Sequence, residues 1–149
     1  MAGLYFHIPF CKRICAYCDF YKSARLEQMD GVTAAMHREL DERQDYLRGE
    51  AVTTRYFGGG TPSLLTPAQA ERLIRAADPV PGAEITLEAN PETVTEESLR
   101  GFRAAGVNRI SFGVQSARDT QLRTLGRPHT AKQARAAFAA ARRAGFANI

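Results

Sequence analysis

The only three cysteines of the chain, Cys11, Cys15 and Cys18, stand together in a C-x3-C-x2-C run. Soft thiolates select iron–sulfur clusters, zinc or copper(I) over hard cations. Three thiolates from one short loop can hold three irons of a cubane cluster and leave the fourth iron free to bind and activate a ligand. Two other chemistries stay open on spacing alone. Zinc could take the three thiolates together with His7, although no second knuckle of the usual structural kind follows. Cys15-Ala-Tyr-Cys18 could act as a dithiol redox pair, which would leave Cys11 without a role. A disulfide framework is excluded, because three is odd and 149 residues is too long for a small stapled scaffold.

The loop must be held by the elements around it, and these alternate along the chain. Leu4–His7 reads as a first strand that runs into the cysteine loop. A long amphipathic helix is expected from about Glu27 to Arg48, with Val32, Met36, Leu40 and Leu47 spaced for one buried face. Thr53–Phe57 reads as a second strand ending on Gly58-Gly-Gly60, after which Thr66-Pro67 opens a helix with a threonine cap and a first-turn proline. Ile85–Ala89 is the third strand, followed by a helix capped by Thr95 and stopped at Gly106. Arg109–Val114 is the fourth, followed by a short helix near Asp119–Leu125 and a longer one from Thr130 to Gly145. Strands and helices at this spacing imply successive βαβ units on a parallel sheet.

One internal repeat bears on completeness. Arg103-Ala-Ala-Gly-Val-Asn-Arg-Ile110 aligns without gaps on Arg142-Arg-Ala-Gly-Phe-Ala-Asn-Ile149. Each is a helix end, a glycine cap and the start of a strand, so a fifth strand is expected to begin where the chain stops. The expectation is an amino-terminal piece of a larger barrel, with the remaining barrel and a carboxyl-terminal domain absent.

Polar residues gather at the strand ends, where α/β proteins bind ligands. Glu88 closes the third strand and Gln115 follows the fourth. Gly58, Gly59, Gly60 and Thr61 follow the second, where bare backbone can approach a ligand or make a tight strand-to-helix turn. Arg127, taken alone, reads as a surface arginine. His7 reads as a satisfied strand residue.

As a block, Tyr5-Phe-His-Ile-Pro-Phe-Cys and the cysteine run resemble radical S-adenosylmethionine enzymes. Gly58-Gly-Gly-Thr-Pro62, Glu88-Ala-Asn-Pro91 and Ser111-Phe-Gly-Val-Gln-Ser116 agree in order. Within them the chain is similar to the group of oxygen-independent coproporphyrinogen III oxidases and related bacterial haem chaperones. The resemblance implies a partial TIM-like α/β barrel, a [4Fe-4S] cluster on Cys11, Cys15 and Cys18, and bound S-adenosylmethionine. It implies that Gly58–Gly60 and Glu88 lie at the methionyl amine, Gln115 at the ribose, Arg127 at the methionyl carboxylate, Tyr5 beside the cluster and Tyr17 near the adenine, with Thr61 also among the cofactor-binding residues. The implied chemistry is reductive cleavage of S-adenosylmethionine to methionine and a 5′-deoxyadenosyl radical that abstracts hydrogen from a substrate.

Phe20 discriminates within the group. The oxidases typically carry a further cysteine two residues after the third ligand, where this chain reads Cys18-Asp-Phe20. The pattern resembles the haem-chaperone branch, whose haem-associated motif would lie past Ile149. The implied partners are haem or porphyrin, an electron donor such as flavodoxin or ferredoxin, and haem-acceptor proteins. The oxidase is the second reading, and a non-catalytic zinc module is the third.

Composition fits a cytosolic globular protein, with 44% hydrophobic and 24% charged residues. There is no 18-residue apolar run and no signal-like amino terminus. Peripheral membrane contact stays open, and unpaired cysteines favour a reducing compartment. The +4 charge is mild. Arg135, Arg142 and Arg143 read as a solvated helix face, and no aromatic-interleaved basic patch points to nucleic acid.

Overall fold

A computed structural model describes residues 2–77 and 80–149. Four strands, β1 (Ala2–Ile8), β2 (Val52–Gly59), β3 (Glu84–Ala89) and β4 (Arg109–Phe112), form one sheet in the order β1-β2-β3-β4, every pair parallel. A single parallel bridge between Arg109 and Asn148 continues the sheet beyond β4. It falls where the internal repeat places the start of a fifth strand. This is an α/β arrangement of successive βα units on a parallel sheet, as the alternation of elements implies.

The helices α1 (Met29–Glu42), α2 (Pro67–Ala76), α3 (Glu96–Ala104), α4 (Asp119–Thr124) and α5 (Ala131–Arg143) follow the strands. Along the row, α1 packs on α2, α2 on α3, and α3 on α5. Phe6, Ile8, Phe57, Ile85, Leu87 and Ile110 from the sheet meet Leu73, Ile74, Leu99, Phe102 and Phe146 in one core. Arg55 is also buried there, its Nη2 donating to the Ala77 carbonyl at 2.6 Å at the end of α2. That basic group at a helix carboxyl terminus complements the exposed carbonyls.

The two faces of the sheet differ, although a parallel sheet is commonly apolar on both. Alternate residues Tyr5, His7, Tyr56, Glu84, Thr86, Glu88, Arg109 and Ser111 form a polar face. Tyr5 pairs with Tyr56 in register, and Glu88 with Ser111. Such a face suits a lumen that holds a ligand.

Local signals set the helix boundaries. Thr66, Thr95 and Thr130 each accept from the backbone three residues on, in reciprocal capping boxes with Gln69, Ser98 and Gln133. Gly106 and Gly145 take φ of +109° and +93°. Around them Val107 N donates to Phe102 O and Phe146 N to Ala141 O, a six-to-one closure made twice. Thr95→Ala is expected to cost about 1 kcal/mol. The check is a lower denaturant midpoint with an unchanged slope.

The expected helix over 27–48 is shorter. A 3₁₀ turn covers Leu26–Gln28, the α-helix covers Met29–Glu42, and a second 3₁₀ turn covers Gln44–Leu47. After Leu40 the next inward positions are Arg43 and Gln44, so nothing apolar holds the helix on the core. Arg43 leaves helical geometry at φ −112°, ψ 20°, and Arg48 and Gly49 turn left-handed. Val32, Met36 and Leu40 are only half-buried. The fourth strand is shorter too, because Val114 N donates to Phe112 O and Ser116 N to Val114 O, turning the chain after Gly113.

Candidate functional site

The cysteine loop is tied at its base to the end of β1. Cys11 N donates to Ser23 O at 3.0 Å and Ser23 N to Pro9 O at 2.6 Å, so the residues between leave and return at one point. Gly60 lies against this base. Its N–H donates to Ile8 O, and a Cβ there would sit 2.7 Å from the Phe10 carbonyl oxygen. Only glycine lets the β2 end approach the loop so closely.

Above the carboxyl ends of β2, β3 and β4 lies a cavity of about 230 Å³. It is lined by Cys11, Cys15, Cys18, Tyr17, Gly59, Gly60, Thr61, Glu88, Gln115 and Arg127, all of them candidates from the sequence. Tyr5 and Gly58 are not among its lining residues. Gly58 faces the lumen side, where a Cβ would come within 2.8 Å of the Tyr5 hydroxyl and 3.0 Å of the Tyr56 ring. His7 is engaged elsewhere, its Nε2 3.0 Å from Tyr21 O.

A continuous run of hydrogen bonds joins the walls. Thr61 Oγ1 donates to Cys11 Sγ at 3.5 Å, and Asn90 Nδ2 donates to Thr61 Oγ1 at 3.1 Å. Arg127 Nη2 donates to Asn90 Oδ1 at 2.5 Å and to Gly113 O at 2.8 Å. Its Nη1 lies 3.5 Å from the Tyr17 hydroxyl and 3.9 Å from Cys15 Sγ. Arg127 is brought in by the end of α4, where Gly126 at φ +68° turns the chain and Arg127 N donates to Leu122 O. It is therefore a cavity residue, against the surface position its sequence context suggests. Its Nε is buried without a hydrogen-bond partner, a donor in want of an acceptor.

Burial and charge act against each other at Cys11. Burial pushes the Cys11 thiol up, and the Cys18 and Cys15 thiols add to this, while the Thr61 hydroxyl and the Lys22 ammonium oppose it. Lys22 Nζ donates to the Cys18 carbonyl and, at 3.3 Å, to that of Phe20. Burial also raises the Tyr17 phenol, against the pull of Arg127. A metal that displaces the thiol protons takes over the stabilisation of the sulfur charge. Among the described residues, no three Cys, His, Asp or Glu side chains are placed to hold a single ion. Thiolates that each hold a separate corner of a cluster have no need to converge on one point. The donor set fits an iron–sulfur cluster, with Thr61, Arg127 and Lys22 as outer polar groups.

Gln115 occupies the left-handed region at φ +66°, which costs a non-glycine residue of order 1–3 kcal/mol and recurs at ligand sites. The segment is clamped by His129, whose side chain is fully buried. Its Nε2 lies 3.0 Å from Val114 O and its Nδ1 3.1 Å from Glu92 Oε2. Neither His129 nor Asn90 stands out in the sequence as a site residue. The one local signal is Asn90 before a proline at a strand end, a turn-forming pair. Arg142 and Arg143 are spent structurally, on the Phe146 and Ala147 carbonyls and on Glu96.

The chain is similar to known proteins over most of its length. The family model described as the Radical SAM superfamily matches residues 5–149. The protein named Heme chaperone HemW from Escherichia coli is 43% identical, covering 91% of this chain and 37% of that protein. The Bacillus subtilis protein of the same name is 37% identical over all of this chain and 41% of its own length. The mitochondrial Radical S-adenosyl methionine domain-containing protein 1 of Bos taurus is 42% identical over 95% of this chain and 33% of its own. The chain thus spans about two fifths or less of these relatives. A solved structure titled as the coproporphyrinogen III oxidase HemN of Escherichia coli, a radical SAM enzyme, superposes with a TM-score of 0.87. Its identity is 32%, over 97% of this chain and 35% of that one.

Proposed function

Because this chain belongs to the radical SAM superfamily, we propose that it binds a [4Fe-4S] cluster through Cys11, Cys15 and Cys18 and S-adenosylmethionine beside it, within a protein that binds haem and delivers it to acceptors. The observation that supports the first half is the shared cavity: the three cysteines, Glu88, Gln115 and Arg127 come from separated parts of the chain and line one space. When bound, the reduced cluster would supply the electron that breaks the sulfonium carbon–sulfur bond. The residues of this chain do the rest. Glu88 offers a carboxylate to the methionyl amine, and Arg127 offers its guanidinium to the methionyl carboxylate. Gln115, set by its left-handed backbone, offers an amide to the ribose. Tyr17 shields the adenine side from water.

The second half is supported by the names of the relatives and by Phe20, which is 64% exposed at the cavity mouth. A further cysteine there would give a thiol beside the site; an aromatic ring cannot. The likeness to the oxidase structure favours the second reading, oxidative decarboxylation of porphyrinogen propionates. An anaerobic assay separates the two. Reconstituted full-length protein with S-adenosylmethionine, dithionite and coproporphyrinogen III is expected to give no vinyl porphyrin, whereas haem titration of it gives a saturable shift of the Soret band. Vinyl-porphyrin product at turnover rates overturns the chaperone reading.

A further inference from the structure

The polar face of the sheet holds a unit that reaches the cavity only through Glu88. Tyr56 on β2 donates its hydroxyl to Glu88 Oε1 on β3 at 2.8 Å. Its ring stacks on Tyr5 of β1, centroids 5.9 Å apart and planes 17° from parallel. Gly58 leaves room for both rings, since a side chain at that position would press on each of them. Three adjacent strands thus support one carboxylate at the cavity wall.

A carboxylate has about four acceptor positions on its two oxygens. A donor on one oxygen fixes the plane and rotamer of the group and leaves the other oxygen for a ligand. Without that donor, Glu88 would be a flexible side chain that loses rotamer freedom on binding. We infer that Tyr56 is the positioning residue for Glu88, holding the carboxylate oriented toward an incoming ammonium, with Tyr5 and the bare backbone of Gly58 keeping the Tyr56 ring in place. The inference rests on the reading of Glu88 as the partner of the methionyl amine. The negative charge of Glu88 reaches both rings: burial is the larger cause of the raised Tyr5 and Tyr56 phenols, and the carboxylate adds to each. Both phenols therefore stay protonated at neutral pH, and the Tyr56 hydroxyl stays a donor.

The test is a double-mutant cycle on the anaerobically reconstituted protein, read by calorimetric affinity for S-adenosylmethionine, with iron content as the control for the cluster. Tyr56→Phe keeps the stacked ring and removes only the hydroxyl. It is expected to weaken binding roughly three- to tenfold, about the worth of one net hydrogen bond, with iron content unchanged. In a Glu88→Ala background the same change is expected to do nothing further, because the group it orients is gone. An equal loss in both backgrounds shows that the Tyr56 hydroxyl acts independently of Glu88 and overturns the inference. Glu88→Ala weakening the affinity while Tyr56→Phe leaves it untouched also overturns the inference but keeps the reading of Glu88. No effect of Glu88→Ala overturns both.

Discussion

Replacing any one of Cys11, Cys15 or Cys18 by alanine is expected to abolish most of the iron that the protein takes up. Anaerobic reconstitution of the unaltered protein should give a brown solution with about four irons and four sulfides per chain. If each thiolate holds a different corner, as proposed, loss of one would leave the cluster with two protein ligands. Cys11 should be the least forgiving of the three. It is 9% exposed, and its sulfur accepts from Thr61, whereas Cys15 and Cys18 are half-buried. A cluster missing a ligand on the solvent side can borrow water, but one missing the buried corner cannot. Iron and sulfide analysis with the visible spectrum checks this. A colourless protein holding one tight zinc would return the cysteines to a structural role.

Arg127→Ala should have the next largest effect. A charge-assisted hydrogen bond to a sequestered carboxylate contributes about 1.5–3 kcal/mol, or roughly a 10- to 150-fold change in affinity for S-adenosylmethionine. The same guanidinium bonds Asn90 and Gly113. Alanine therefore also releases the wall formed by the ends of β3 and β4. Arg127→Lys keeps the charge but not the planar fork, and should recover only part of the loss. Calorimetry under anaerobic conditions on protein of unchanged iron content is the measurement. Unchanged affinity in Arg127→Ala would remove Arg127 from the ligand site.

Features set by neighbours along the chain are legible in the amino-acid sequence itself. Thr66, Thr95 and Thr130 cap because their partners lie three residues away, and Gly106 and Gly145 end helices for equally local reasons. The parallel sheet follows from the alternation of elements. Long-range placement is less visible. Arg127 looks like a surface residue because its contacts, Asn90, Gly113, Tyr17 and Cys15, come from other elements. Gly58 has the sequence of a cofactor-approach glycine, yet it packs against Tyr5 and Tyr56, one strand away and two residues back. Tyr56 itself is an ordinary strand residue until β3 places Glu88 beside it. The long first helix fails for a different reason. Periodicity marks an inward face through Leu40, but it cannot show that the face is only half covered, or that Arg43 and Gln44 interrupt it.

The hydrogen bonds around the cysteines also order events in time. Thr61 reaches Cys11 across 50 positions of chain, and Arg127 reaches Cys15 across 112. Contacts between residues so far apart form late, since the closure entropy of the intervening chain must be met before they return any stabilisation. On a ribosome the cysteine loop emerges before β2, β3, β4 and the turn after α4, and so stands without its polar neighbours until these have been made. During that interval its thiols are open to oxidation and to stray metals. Of these two contacts, that of Arg127 closes the longer stretch of chain and forms the later.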